Sequence, residues 1–261
     1  SKDVNGFAPS GVPKWESLNA SQKKEYARTM EVYAAMVDYL DMSIGRIINY
    51  LKQEGLYDNT MILFMSDNGA NGAPASAYPG NGDGKYLSSF NNTLENKGLP
   101  GSLIDMGPGW AQASSSPLRM FKGFTAEGGI KAPLIVKMPS SGIKHEGEWN
   151  NSFIHVSDIM PTVLALAGAK FPQEKNGTPL KQPIGISILP LLNGETTALS
   201  AEKGMGWELF EGKAYIKGNW KILRLGKPFG RGTWQLYDLA KDPGEINDLS
   251  QRFPAKRDSL I

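Results

Sequence analysis

The feature that most constrains this chain is an uninterrupted apolar run, Met-Ile-Leu-Phe-Met, at residues 61–65. It carries no charge and is too short for a stable helix. It therefore predicts a strand buried on both faces, the central strand of an α/β sheet. The run stops at Ser66-Asp67-Asn68-Gly69. Because ligands in open α/β sheets gather just beyond the carboxyl ends of the strands, a candidate site falls at Asp67 and Asn68.

Asp67 and Asn68 offer a carboxylate and an amide oxygen side by side. Hard divalent cations such as Ca²⁺ and Mg²⁺ accept such ligands. With Gly69, the same residues are also common in plain turns, since all three tolerate turn geometry. On these residues alone a turn is the more frequent outcome, so the metal hypothesis depends on the rest of the chain.

Composition narrows the class of protein. The 261 residues, 40% hydrophobic and 21% charged, suffice for one large or two modest globular domains. The net charge is +2, with no dense basic tract and no apolar run of transmembrane length, so we expect neither a nucleic acid nor a membrane as partner. The absence of cysteine excludes disulfides, and two histidines exclude a histidine-rich zinc site. The first residues, Ser-Lys-Asp-Val-Asn, predict a chain that begins inside a longer protein.

Helix and strand patterns alternate up to about residue 198. Apolar residues at steps of three and four predict a long helix from Ser21, as its cap, to Gly55. Leu134 to Met138 reads as a second strand after a tight glycine turn, and a further helix is capped by Ser157 or Asp158. Residues 69–116 lose all periodicity, and a loop of this length after a candidate metal site predicts a wall of the pocket.

After about Leu199 the pattern changes to four short runs with turn residues between them. The runs are Gly206 to Phe210, Lys213 to Lys217, Trp220 to Leu225 and Trp234 to Leu239. They predict an antiparallel meander, with Gly218-Asn219 as a tight hairpin. We therefore predict two domains: residues 1–198 as an α/β domain, and residues 199–261 as a small antiparallel-sheet subdomain.

Four segments occur in a fixed order along the chain. They are Ser66-Asp-Asn-Gly, Lys122-Gly-Phe-Thr-Ala-Glu-Gly-Gly, His155-Val-Ser-Asp-Ile-Met-Pro-Thr-Val-Leu and Leu236-Tyr-Asp-Leu-Ala-Lys-Asp-Pro-Gly-Glu. Together they resemble the C-terminal half of an arylsulfatase, within the alkaline phosphatase superfamily. The segment Gly107-Pro-Gly-Trp-Ala-Gln-Ala, with Pro117 and Arg119, resembles the bacterial branch of that family. The resemblance implies an α/β fold: part of an alkaline-phosphatase-like mixed sheet flanked by helices, plus a small C-terminal four-stranded antiparallel sheet. It also favours a periplasmic or secreted location.

The resemblance implies specific roles. In sulfatases a hydrated formylglycine, made from the first residue of a Cys/Ser-X-Pro-X-Arg motif, attacks sulfur. A divalent cation, usually Ca²⁺, is held by an upstream Asp-Asp pair, by the formylglycine and by an Asp-Asn pair, which Asp67 and Asn68 match. Lys122 matches the lysine that binds the sulfate and helps the alcohol depart, although a lysine by itself is usually a solvated surface residue. Fixed cations suit this chemistry, because charge builds on the sulfate and leaving oxygens.

Other family residues have no counterpart here. The Asp-Asp pair, the catalytic histidine, the lysine-histidine pair and the formylglycine all belong to a segment expected to precede this chain. Ser115-Ser-Pro-Leu-Arg119 fits Ser-X-Pro-X-Arg, but it follows the Asp-Asn pair, whereas the modified residue of the family precedes it. Lys131 stands where the family commonly has arginine. His155 is interpreted as a capping or packing residue and His145 as a solvated loop residue.

The sequence therefore predicts the C-terminal part of a sulfatase acting on sulfate esters. Its expected cofactors are Ca²⁺, with Mg²⁺ as an alternative, and a formylglycine from the missing N-terminal half of the catalytic domain. The fragment alone is expected to be inactive. A phosphomonoester, phosphodiester or phosphonate monoester hydrolase of the same superfamily is an alternative. A non-catalytic carbohydrate- or protein-binding module is an alternative of another class.

Overall fold

The computed structural model describes residues 12–78, 81–140, 147–197, 199 and 204–261. His145, interpreted above as a loop residue, lies outside these ranges. The chain divides into two compact units, of which the first combines Ser1–Ile47, Asn68–Pro133 and Gly204–Ile261 and the second Ile48–Asp67 and Leu134–Lys203. The domain boundary expected near residue 198 stays a prediction.

The α-helices among the described residues are α1 (Ala20–Gln53), α2 (Lys85–Ser88), α3 (Gly107–Ser115), α4 (Glu127–Ile130), α5 (Ile159–Leu166), α6 (Leu189–Leu192) and α7 (Pro254–Asp258). The strands there are β1 (Ile62–Met65), β2 (Leu134–Lys137), β3 (Glu174–Lys175), β4 (Thr178–Pro179), β5 (Gly204–Leu209), β6 (Gly212–Lys217), β7 (Trp220–Arg224) and β8 (Gln235–Asp238). Thus the segment predicted as an aperiodic loop, residues 69–116, contains the short helices α2 and α3.

The cap of the long helix α1 lies two residues before the predicted one. Asn19, rather than Ser21, caps it: the Asn19 Oδ1 accepts the Gln22 backbone N–H at 2.9 Å, and the Gln22 Oε1 accepts the Asn19 N–H at 3.0 Å. This reciprocal arrangement satisfies two otherwise unpaired donors. The helix ends before Gly55, which has the left-handed φ of +65° that favours glycine.

Several large apolar side chains of α1 remain exposed. They are Tyr26, Tyr33, Met36, Val37, Tyr39, Leu40, Met42, Ile47 and Tyr50. Neither α1 nor any other helix in the described part of the chain combines the length and apolarity needed to cross a membrane.

The second unit contains the apolar run of residues 61–65, of which Ile62–Met65 form strand β1. β1 pairs with β2 in antiparallel register, with Leu63 opposite Val136. Within the described residues these two strands form a sheet of their own. The prediction of a central strand buried on both faces is therefore wrong for this part of the chain, because one edge of β1 is unpaired there and Phe64 is 45% exposed.

His155 caps the helical segment that leads into α5, as expected. Its Nδ1 accepts the Ser157 N–H at 3.3 Å, and the Asp158 Oδ2 accepts the His155 N–H at 2.9 Å. The other oxygen of the buried Asp158 accepts the Ile186 N–H at 2.9 Å. This carboxylate thus ties the start of α5 to the segment before α6, and the capping interpretation of His155 is confirmed.

The four-stranded sheet of the first unit is confirmed in order and direction. Its order is β5-β6-β7-β8, and every neighbouring pair is antiparallel. Gly218, at the predicted β6–β7 hairpin, has a φ of +58°. One face of the sheet packs against residues 119–130, in a core formed by Met120, Ala126, Ala214, Leu223, Leu225 and Tyr237. The predicted α/β fold class is therefore confirmed.

Candidate functional site

Lys122 lies on a closed loop in front of the four-stranded sheet. We call residues 119–129 the lysine loop. The Gly128 N–H donates to the Arg119 carbonyl at 2.7 Å and closes the loop. Gly123, which follows Lys122, has a φ of +97°, a conformation that a residue with a Cβ rarely adopts. The Lys122 side chain is exposed beyond this turn.

Two further glycines let the lysine loop fold tightly on itself. A Cβ on Gly128 would lie 2.1 Å from the Met120 carbonyl oxygen, and one on Gly129 would lie 2.1 Å from the Phe124 carbonyl oxygen. The predicted tight turn at these glycines is in fact the short helix α4, Glu127–Ile130. Glycine is needed here for space between backbones, whereas at Gly123 it is needed for its φ.

The lysine loop is held against residues 68–70, which we call the Asn68 segment. The Gly69 N–H donates to the Gly129 carbonyl at 3.0 Å, and the Lys122 N–H donates to the Ala70 carbonyl at 2.9 Å. A Cβ on Gly69 would lie only 1.8 Å from the Gly128 oxygen. The structure thus brings the backbone segments that carry Asn68 and Lys122 into direct contact.

Asp67 is an exposed residue that follows β1 and belongs to the second unit. One peptide bond joins it to the half-buried Asn68, the first residue of the Asn68 segment. A carboxylate and an amide oxygen are the right kind of donor for Ca²⁺ or Mg²⁺, but Ca²⁺ takes about 6–8 oxygen ligands. The described residues contain no group of three or more His, Cys, Asp or Glu that could hold a metal. Asp67 and Asn68 therefore fit such a cation as a partial set of ligands.

A buried ion-pair triad, which sequence reasoning missed, supports the lysine loop from below. The Lys221 Nζ, on β7, lies 2.8 Å from the Glu127 Oε1 and 2.8 Å from the Glu245 Oε1. The Lys221 and Glu245 side chains are both 0% exposed. The signal was present in the sequence, because Lys221 alternates with Leu223 and Leu225 and so occupies a core-facing position of its strand.

Burial raises the pKa of the Glu245 carboxyl, and the nearby Lys221 ammonium opposes that rise. The two carboxyl groups of the triad share one buried ammonium, which lies 2.8 Å from an oxygen of each. Isolated buried charges are costly unless they are paired in this way.

A second contact joins the lysine loop to β8. The Nη1 of the buried Arg119 donates to the Tyr237 hydroxyl at 3.2 Å and to the Gln235 Oε1 at 3.4 Å. Burial raises the pKa of the Tyr237 phenol, and Arg119 lowers it in part. The phenol therefore stays neutral at ordinary pH and serves as a hydrogen-bond partner.

Comparison with known proteins decides the family. The sulfatase family model matches residues 8–169, more than half of the chain. The chain belongs to the sulfatase family. A second model, for the C-terminal part of N-sulphoglucosamine sulphohydrolase, matches residues 119–257 of this sulfatase. The lysine loop lies within both matched ranges.

Two curated relatives match along most of this sulfatase chain. An uncharacterized sulfatase of Schizosaccharomyces pombe is 41% identical over 253 residues, which cover 96% of the chain and 45% of the relative. The arylsulfatase of Klebsiella aerogenes is 34% identical over 191 residues, which cover 73% of the chain and 39% of the relative. The chain thus spans less than half the length of either protein.

Solved structures show the same fold. The protein Ps i-CgsB, solved in complex with k-i-k-neocarrahexaose, superposes with a TM-score of 0.58 at 24% identity, covering 94% of this chain and 43% of that one. The phosphonate monoester hydrolase of Agrobacterium radiobacter superposes with a TM-score of 0.52 at 20% identity, covering 87% of this chain and 38% of that one. At these identities the likeness concerns the fold alone.

Proposed function

We propose that this chain is the C-terminal part of a metal-dependent sulfatase that hydrolyses sulfate esters. The observation that carries the proposal is the backbone contact between the lysine loop and the Asn68 segment, through Lys122 to Ala70 at 2.9 Å and Gly69 to Gly129 at 3.0 Å. In a chain of the sulfatase family, this contact supports one site to which Asn68 contributes an amide oxygen and Lys122 an ammonium.

In this proposal, Asp67 and Asn68 hold one hard cation, Ca²⁺ or Mg²⁺, through their side-chain oxygens. When bound, the cation neutralises charge on the sulfate oxygens. Two ligands are too few for tight binding. The other ligands, and the formylglycine that attacks sulfur, are proposed to come from residues that precede this chain in the full-length protein.

Lys122 is the residue of this chain that we assign to the chemistry. Its ammonium is exposed, and no ion pair holds it among the described residues. It can therefore bind a sulfate oxygen and then stabilise the leaving oxygen, on which negative charge grows as the S–O bond breaks. Stabilisation that is greater in the transition state than in the ground state raises turnover.

Two alternatives remain open to the same experiments. The fold match to a phosphonate monoester hydrolase makes phosphate and phosphonate esters a second candidate substrate class. A non-catalytic binding module has no use for paired metal ligands at Asp67 and Asn68, so a metal requirement distinguishes it from both hydrolases.

The main test is the variant Lys122→Ala in the full-length protein. We expect turnover of sulfate esters to fall by about a hundredfold or more, the scale of a lost oxyanion donor. Because Lys122 acts on the leaving oxygen, the loss grows with the pKa of the departing alcohol. The measurement is kcat for a series of sulfate esters with graded leaving groups, in wild type and variant, with phosphate and phosphonate esters assayed in parallel.

The matched control is Lys175→Ala, which removes an exposed lysine on β3 and leaves every rate unchanged. A loss that is equal across the series would make Lys122 a ground-state sulfate binder, and no loss would return it to the solvated surface. Faster wild-type turnover of the phosphorus esters would favour the second candidate.

The metal assignment is tested with Asp67→Ala in the full-length protein. We expect this variant to lose most of its activity and most of its Ca²⁺ affinity, because a carboxylate is the stronger of the two proposed ligands. Calorimetric titration with Ca²⁺ gives the affinity independently of activity. Asp83→Ala, which removes an exposed carboxylate from the segment 69–116 that follows Asp67 and Asn68, serves as the control. Wild-type metal content in Asp67→Ala would sink the assignment.

A further inference from the structure

We propose that Lys221 is a positioning residue for Lys122, acting through Glu127 and the lysine loop. The inference rests on the proposed function, because it concerns the geometry of the same site. It assigns a role to a lysine that lies outside the motifs of the sequence and is wholly buried beneath the sheet face.

Glu127 is held by one contact of its side chain and one of its backbone. Its side-chain Oε1 lies 2.8 Å from the Lys221 Nζ, and its backbone N–H donates to the Glu245 Oε2 at 3.0 Å. Lys221 also lies 2.8 Å from the other oxygen of Glu245. Glu127 is thereby fixed in both main chain and side chain to β7 and to the loop that follows β8.

Glu127 is connected to the site through the two residues that follow it. Gly128, the next residue, donates to Arg119 at 2.7 Å and closes the lysine loop. Gly129, one residue further, accepts from Gly69 at 3.0 Å and holds the Asn68 segment. A shift of Glu127 therefore displaces two hydrogen bonds together: the Gly128–Arg119 bond that closes the lysine loop and the Gly69–Gly129 bond to the Asn68 segment.

The backbone around Gly128 is packed too closely to adjust to a displacement. The Gly128 Cα lies so close to the Met120 and Arg119 carbonyls that a Cβ would come within 2.1 and 2.5 Å of their oxygens. A backbone packed this closely cannot absorb a displacement locally, because close-packed interiors transmit strain. Displacement at Glu127 thus reaches the Lys122 turn.

Repulsion between the Glu127 and Glu245 carboxylates would displace Glu127 if Lys221 lost its charge. Without Lys221, the carboxylates of Glu127 and Glu245 would face each other in a site where neither side chain is more than 4% exposed, and like charges in a desolvated site repel strongly. Either one carboxyl takes up a proton or the two groups move apart. Separation of Glu127 from Glu245 pulls on the residue that anchors the loop.

The expected consequence is a loss of turnover. A displacement of about 1 Å at a catalytic group can cost about a hundredfold in rate. We expect Lys221→Met, which keeps an unbranched side chain one atom shorter and removes its charge, to lower kcat for alkyl sulfates at least tenfold in the full-length protein. The change in KM is smaller, because Lys122 matters most in the transition state.

The experiment is a double-mutant cycle between Lys221→Met and Lys122→Ala, with kcat measured below the melting temperature of each variant. If Lys221 acts through Lys122, the loss from Lys221→Met shrinks to about threefold or less once Lys122 is absent. A purely structural role gives the same fractional loss in both backgrounds and overturns the proposal.

Two further variants keep the test decisive. Ile222→Ala disturbs the same strand from its opposite, buried face and should lower stability without changing kcat. Glu127→Gln keeps an oxygen for Lys221 and replaces Lys221→Met in the cycle if that variant does not fold; additive losses with Lys122→Ala would again overturn the proposal. Failure of the proposed function itself is distinct, since Lys122→Ala alone would then leave sulfate ester turnover unchanged.

Discussion

The two main sheets of this sulfatase chain differ in how well the described residues bury their apolar side chains. In the sheet β5–β8, Ile216, Ile222 and Leu236 are at most 3% exposed. In the sheet β1–β2, Phe64 is 45% and Ile135 64% exposed. The first sheet is covered on its lysine-loop face by residues of the same unit, whereas the second presents large apolar side chains to solvent.

This difference teaches which parts of the site the chain can organise by itself. The lysine loop rests on the completed sheet, through the triad and the core around Met120. Asp67 follows β1, which belongs to the uncovered sheet. We therefore expect the lysine half of the site to be well ordered in this chain, and the metal half to depend on further residues that cover β1 and β2.

The largest expected effect comes from exchanging one lysine in each sheet for methionine. Lys221→Met removes the ammonium that two buried carboxyl groups share and should lower the free energy of unfolding of the full-length protein by about 3–5 kcal/mol. Lys137→Met, on β2, removes hydrogen bonds from a partly buried ammonium to the Thr60 carbonyl at 3.1 Å and to the Tyr57 carbonyl. We expect it to cost about 1–3 kcal/mol.

Urea denaturation of both variants checks this prediction. Lys241→Met, which breaks a surface pair with Asp238, is the control and should change stability by about 0–1 kcal/mol. Equal losses for Lys221→Met and Lys137→Met would contradict the difference between the two sheets.

A smaller effect tests whether β1–β2 is covered in the full-length protein. If preceding residues pack on this sheet, as we propose, Ile135→Ala should lower the free energy of unfolding by about 2 kcal/mol or more, as for a core isoleucine. The control is Ile261→Ala, at an exposed position 67% open to solvent, which should stay within about 0.5 kcal/mol of wild type. If Ile135→Ala is as harmless as the control, the sheet has no cover and the comparison fails.

The smallest effect is a pH dependence from Glu245. Burial raises the folded-state pKa of Glu245 above its ordinary value of 4.5, so the contribution of Glu245 to stability is present below that pH and is lost as the pH rises through the folded-state pKa. Glu245→Gln does not titrate. The melting temperature of wild type minus that of Glu245→Gln should therefore fall as the pH rises from below 4.5 through the folded-state pKa of Glu245. A difference that stays flat or rises over this range would show that burial does not raise this pKa.

Sequence patterns predicted the parts of the fold that depend on local periodicity. The four short runs of residues 204–239 form the predicted meander, and α1, Ala20–Gln53, lies where the apolar periodicity predicted a long helix. The cap of α1 was misplaced because Asn19 and Ser21 are both good capping residues, and only the Gln22 contact decides between them. Helix α3 was missed because a segment of nine residues with two glycines has no clear apolar period.

The candidate site was only partly accessible from the sequence. Motif order predicted Asp67, Asn68 and Lys122 as site residues, and the contact between the segments that carry Asn68 and Lys122 appeared only in the structure. The triad was inaccessible in a different way, because Glu127, Lys221 and Glu245 are far apart in the chain and meet only when β7 packs on the lysine loop. Periodicity can predict a core-facing lysine, but it cannot name its partners.

The crossing of Gly69 over Gly128 limits how this protein can be diversified. A Cβ on residue 69 would lie 1.8 Å from the Gly128 carbonyl oxygen, which belongs to the main chain. Gly128 is itself packed closely against the carbonyls of Arg119 and Met120. A compensating change elsewhere could shrink a side chain, but no substitution shrinks a backbone. A mutant library aimed at new substrates should therefore keep glycine at residues 69 and 128 and vary the exposed residues of the 71–105 loop, where Tyr78 and Tyr86 already face solvent.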